Sequence, residues 1–211
     1  MSLPATTGGA SGYLQKNGTP MTGKHIKFDG KGGGYKATSD GSLVDEDTQV
    51  VVVYPQIQAG YIKFNGKGNP PDRKMGPVFS GFTPPDRESL GDTDQELWEK
   101  SLEGKPQDPW QFQLMVPMQV VETGELLIFS TSSITGKRAV DNLIEQCERM
   151  QRLEPDFYPV IKLSIGGFQH RDSRVGWVKT PALPRVGKAP KSDVSAALTT
   201  ASDDLSDSIP F

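Results

Sequence analysis

The sequence predicts a mainly β fold with one principal helix, held between two ends that do not pack. Three observations carry this. Runs of β-branched and aromatic residues alternate between glycine turns across most of the chain. Only residues 135–153 repeat apolar side chains at helical spacing. The hydrophobic share is 35%, with 23 Gly and 17 Pro in 211 residues. Packed chains run at roughly 45–50% on a scale that also counts Gly, so part of this one is expected to stay unpacked.

Residues 1–23 are rich in Gly, Ser, Thr and Pro, and ordering them costs more entropy than their burial returns, so a flexible N-terminal arm is expected. Residues 25–37 and 48–68 read as two β-hairpins and contain an internal echo. Ile26-Lys27-Phe28-Asp29-Gly30-Lys31-Gly32 is matched by Ile62-Lys63-Phe64-Asn65-Gly66-Lys67-Gly68. Asp-Gly and Asn-Gly favour turns with positive φ, so each copy is a strand entering a tight turn tipped with lysine. Residues 69–108 are Pro-rich, with eight acids and three bases from Asp86 to Asp108. They read as a solvated excursion with a short helical turn capped by Thr93. Two long strands follow, 111–121 and 125–132, and Pro117 argues for a bulge or an edge position in the first. The helix places Val140, Leu143, Ile144, Cys147 and Met150 on one face and ends before Pro155, which makes Cys147 a small core residue. FYPVIKLSIGGFQ and RVGWVKT then give a second strand pair. Strands, a helix and a strand pair is the order of an OB-type barrel, here with extra hairpins. The OB-like domain is placed at 24–183, a disordered linker at 184–202 and an acidic tip at 203–211.

Cys147 is the single cysteine, with no disulfide partner and no metal-ligand spacing, which points to a reducing compartment. The first residues lack the pattern of a signal peptide, and no apolar run approaches the ~20 residues of a membrane span; a cytoplasmic protein is expected. The net charge of −3 is unevenly spread: residues 1–192 hold 23 bases against 22 acids, and the last 19 residues hold four acids and no base. Such asymmetry marks an acidic interaction tail on a body that meets something else.

Catalysis has little to work with. His25 and His170 have no cysteine or carboxylate cluster nearby in sequence, so no catalytic residue, metal or cofactor is assigned. An enzyme would need distant acids such as Asp45, Glu46 and Asp47 to converge on magnesium. ELLIFSTSSITGKRAV has the strand, turn and helix of a phosphate loop, yet Thr131 stands where the first glycine belongs and Arg138 where the magnesium-binding hydroxyl belongs. What survives is a helix N-terminus beside Lys137 and Arg138 that suits one phosphate. Residues 162–191 are more informative, with seven bases against Asp172 alone and Phe168, His170 and Trp177 interleaved. Single-stranded nucleic acid is held by cations along its backbone and by aromatic faces under its bases. The candidate DNA contacts are therefore Phe28, Phe64, Phe168 and Trp177 for stacking, and Lys27, Lys31, Lys63, Lys67, Arg171, Arg174 and Lys179 for phosphates.

The chain ends DDLSDSIPF after a Pro-, Ala- and Ser-rich stretch. This layout resembles that of bacterial single-stranded DNA-binding proteins, in which an OB-fold core precedes a disordered linker and an acidic tip ending Ile-Pro-Phe. The likeness covers the last nine residues and the layout; the stretches DPWQF and GKRAV look instead like bacteriophage or prophage proteins. The resemblance implies a non-enzymatic, phage-type protein that coats single-stranded DNA. It also implies that Asp203, Asp204, Asp207, Ile209, Pro210 and Phe211 recruit replication, recombination and repair proteins. Physically, Ile209 and Phe211 offer apolar groups in water, Pro210 lowers the entropy lost on docking, and the carboxylates steer toward a basic-rimmed pocket. The same charge can also compete with DNA for the protein's own cations. Two rivals share the tip: a recombination mediator or strand-annealing protein, which would form a homo-oligomer, and a phage adaptor or structural protein without DNA affinity.

Overall fold

The computed structural model describes residues 23–66, 69–101 and 104–194. Residues 1–22 of the expected N-terminal arm, Lys67, residues 195–202 of the expected linker and all six tip residues lie outside them. Twelve strands and one α-helix are found among the described residues. They are β1 (Lys24–Asp29), β2 (Gly34–Ala37), β3 (Leu43–Val44), β4 (Gln49–Val52), β5 (Gln58–Lys63) and β6 (Asp72–Pro77). β7 (Trp110–Val120), β8 (Leu126–Thr131), α1 (Ile134–Leu153), β9 (Phe157–Lys162), β10 (Ser164–Gln169), β11 (Trp177–Ala182) and β12 (Arg185–Pro190) follow. Ten strands form one sheet, curled into a half-barrel, in the order β12-β9-β4-β7-β8-β1-β2-β3, with β5 and β6 branching from β7. β10 and β11 pair only with each other. The mainly β expectation with one helix holds at this level. No helix among the described residues is long and apolar enough to cross a membrane.

β7 organises the sheet because both its faces are buried. Leu114, Val116, Met118 and Val120 enter the main core, whereas Met115 packs with Met75 and Ile128 on the other side. That explains the near-continuous apolar run, which is the pattern of a strand covered on both faces. Pro117 is therefore not on an edge. Its backbone nitrogen faces the interval where the neighbouring chain leaves β4 at Val52 and rejoins as β5 at Gln58, and its carbonyl accepts from the Val53 N–H at 3.2 Å. A residue without an N–H costs no ladder bond at such a break.

α1 closes the core with Val140, Leu143 and Cys147, all inaccessible to solvent. Ser133 caps it by accepting the Gly136 N–H at 3.0 Å, and Gly136 is buried against Thr131. The excursion at 69–108 is less solvated than expected: β6 zips onto β5, and the short turn at Gln95–Leu97 is capped by Asp94 rather than Thr93. The domain boundary at 183 also moves. β12 pairs with β9 from Arg185 to Pro190, Lys188 lies 4.4 Å from the Phe157 ring centre, and Lys191 sits about equally over Tyr54 and Tyr158, at 5.3 and 5.2 Å. Val194 is buried in the main core, so the ordered domain runs eleven residues past 183.

Candidate functional site

The first copy of the echo makes a braced hairpin. The Asp29 carboxylate accepts from the N–H groups of Lys31 and Gly32, at 3.0 and 3.1 Å, and from Lys36 Nζ at 2.6 Å. The Lys36 bond, helped by the two amides, pulls the Asp29 carboxyl down to about 2. Directly opposed residues share a face of a sheet, so the pairs Ile26 with Ala37 and Phe28 with Tyr35 lie on the core side, while Lys27 and Lys36 lie outside. Phe28 meets Tyr35 edge-on at 5.3 Å and packs against the core. It is thus a packing residue, and the stacking role expected for it is corrected; Lys27 and Lys31 are exposed at the hairpin.

Next to this turn stands the β10–β11 ribbon. The Tyr35 hydroxyl reaches its base, 3.2 Å from the carbonyls of both Ser164 and Ala182. The Lys179 side chain lies across Gly33 at the hairpin turn, where φ is 66° and any added Cβ would strike that chain. Two cation-bearing segments some 145 residues apart in sequence thereby meet. The register pairs Phe168 with Val178 and Gln169 with Trp177, which puts Trp177 and Lys179 on one face of the ribbon and Phe168 on the other. Phe168 and Trp177, both expected to stack, therefore do not share a face. Trp177 lies over Gly167 and is 61% exposed; Phe168 is 44% exposed. Arg171 projects from the tip, whereas Arg174 is held by Asp172 through Nε and Nη2, the shortest contact being 2.6 Å.

The second copy of the echo has a different setting. β1 and β5 run in the same direction, with β8 and β7 between them, so both copies point toward the same end of the sheet, but the register sets Ile26 level with Val116 and Ile62 level with Gln111, which staggers the second copy along the strands as well as across them. Lys63, however, is bonded to the Asp92 carboxylate at 2.8 Å, and Trp110 Nε1 donates to the same oxygen at 3.0 Å. Trp98 Nε1 donates to the Asp92 carbonyl, and Arg87 grips Asp108 with two bonds of 2.7 and 2.6 Å. The Lys63 bond first, then the Trp110 bond and the nearby Lys63 and Arg87 charges, hold the Asp92 carboxyl below the usual carboxylate range. Phe64, 62% exposed, looks into a hollow of about 500 Å³ shared with Asp94, Leu97, Trp98 and Glu99. Carboxylates around that hollow repel phosphate, so Lys63 and Phe64 leave the list of DNA contacts.

No family model, curated protein or solved structure matches this chain. The remaining geometry narrows the basic stretch at 162–191. Lys162 pairs with Asp47, Lys188 with Glu154, and Lys191 lies against two tyrosines, so those cations serve the fold. At the α1 start, the Gly136 amide is already taken by Ser133 and Lys137 Nζ lies 5.6 Å from the Phe112 ring centre, which leaves the expected phosphate site partly filled by the protein itself. Among the described residues no three His, Cys, Asp or Glu side chains are grouped to hold a metal. Sequence reasoning missed Tyr35 and Lys36; the hairpin register, pairing Phe28 with Tyr35 and Lys27 with Lys36, is the signal that finds them.

Proposed function

We propose that this protein binds single-stranded DNA without turning it over, on an OB-like β domain, and recruits other DNA-processing proteins through its acidic Ile-Pro-Phe end. The observation that carries the reading is Lys179 lying across the β1–β2 turn. It joins an exposed indole to Lys27, Lys31 and Arg171, which have no ion pair among the described residues. Bases stack on Trp177, and Lys27, Lys31, Lys179 and Arg171 meet the phosphates; Phe168 stands on the far face. Stacking a base on an aromatic ring contributes ~1–3 kcal/mol and needs no sequence information, which suits a coating protein.

The test is fluorescence anisotropy of labelled oligo-dT with the full chain at two salt concentrations, with an equal-length duplex as competitor. Four phosphate contacts give a slope of log affinity against log salt of about −3, at ~0.7 per contact on single strands. The duplex is expected not to displace the oligomer. Absence of binding at low salt would overturn the reading and leave the adaptor role, in which only the tip acts.

A further inference from the structure

We propose that the β10–β11 ribbon is a two-sided wedge for the junction between double- and single-stranded DNA, an inference that rests on the single-strand reading above. The ribbon pairs with no other strand among the described residues, and near its tip both Trp177 and Phe168 are exposed. Each face carries one aromatic ring: Trp177 on the side turned to the β1–β2 turn, Phe168 on the other, one register step apart. A platform for one strand needs its rings on one face. Rings on opposite faces, on adjacent rungs, suit two strands that part around the ribbon.

Thickness decides between two ways of entering DNA. Side chains on both faces make a β ribbon ~10 Å thick, the distance at which sheets pack face to face. Stacked bases are ~3.4 Å apart, so the ribbon is too thick to slip between neighbouring pairs. It fits only where the strands have already begun to diverge. The tip is stiff enough for that role: the Asp172 N–H donates to His170 Nδ1 at 3.1 Å, the His170 N–H to the Gly176 carbonyl at 3.0 Å, and the Val175 N–H to the Asp172 carbonyl at 3.0 Å. Arg174, locked onto Asp172, braces the same turn, and Arg171 meets the phosphates at the fork. The two sides are unequal in charge. The strand on the Trp177 side continues over Lys179 and toward Lys31, whereas the Phe168 side shares its face with Val178 and Thr180. One strand is therefore retained and the other only unstacked.

Three probes test this with the full chain: oligo-dT, a blunt duplex, and a forked duplex whose arms match the oligo-dT and whose first pair at the fork contains 2-aminopurine. The fork is expected to bind about tenfold more tightly than oligo-dT, the effect of one added stack, and 2-aminopurine fluorescence to rise on binding. Phe168→Ala and Trp177→Ala should each abolish that rise, while Phe168→Tyr and Trp177→Phe, which keep a ring, should retain it. If oligo-dT binds but the fork is no tighter and its fluorescence stays flat, the wedge is wrong and the single-strand reading stands. Loss of the rise in Trp177→Ala alone would equally overturn the wedge in favour of a one-sided platform. Failure of all three probes at low salt would overturn both.

Discussion

Asp29 shows how one side chain can set a hairpin. Its carboxylate ties two turn amides and Lys36 together, and its folded carboxyl lies at about 2, below an ordinary value of 3.8. A depressed acid stabilises the fold above its unfolded value and ceases to as pH falls through its folded one. The turn should thus be firm above about pH 4 and loosen toward pH 2. Asp29→Asn is expected to speed hydrogen exchange at the Lys31 and Gly32 amides at neutral pH, with the difference from wild type shrinking as pH falls through about 2; equal exchange at pH 7 would show that Asp29 does not brace the turn. Cys147 makes a second prediction at this scale. Burial on the core face of α1 pushes its thiol up to about 12, where the reactive thiolate is scarce. Alkylation at pH 8 should proceed no faster than global unfolding, and rapid labelling of the native protein would show that the helix lifts.

At the scale of elements, α1 meets the sheet through a glycine. A Cβ at Gly136 would run into the Thr131 hydroxyl and crowd Ser133 Oγ. Alanine in a helix interior gains ~1 kcal/mol over glycine, yet overpacking a tight contact costs ~1–3 kcal/mol. Gly136→Ala should therefore lower the urea midpoint despite better helix propensity, and an unchanged or raised midpoint would mean that Thr131 yields. Elements of this kind were legible in the sequence when their pattern was long. The helix spacing of Val140, Leu143, Cys147 and Met150 and the apolar run of β7 needed no partner to be read. Strand faces needed one. Phe28, Phe168 and Trp177 look alike in a linear string, and only pairing with Tyr35, Val178 and Gln169 fixes which way each turns. β12 was missed because Arg-Val-Gly-Lys-Ala-Pro has no β period of its own; it is a strand because β9 offers an edge and Phe157 receives Lys188. Pro117 misled for the converse reason, since its missing donor falls at a gap that only the β4-to-β5 crossing creates.

For the whole molecule, the C-terminal edge separates body from tail. A chain ending at 194 keeps β12, the Lys191 contacts and buried Val194, and should melt within a few degrees of the full protein; a chain ending at 183 strips one edge of β9 and should melt far lower or fail to fold. Similar melting of the two would return β12 to the linker. Removing residues 203–211 should tighten DNA binding most at low salt, because three carboxylates no longer compete for the same cations. Equal affinity across salt would show that tail and body act apart. The sheet order also bears on how the protein is made. β1 lies parallel to β8, so Lys24 finds Leu127 across 103 residues, and β4 finds β9 across 113, from Gln49 to Lys162. At ~5–20 residues per second, a ribosome leaves the first strand without that partner for roughly 5–20 s. The early β1–β2 hairpin, with its apolar Ile26, Phe28 and Tyr35 side, emerges long before the strand that will shelter it. Holding factors that meet nascent chains would find their target in the first forty residues, and slowing translation would lengthen the exposure in proportion.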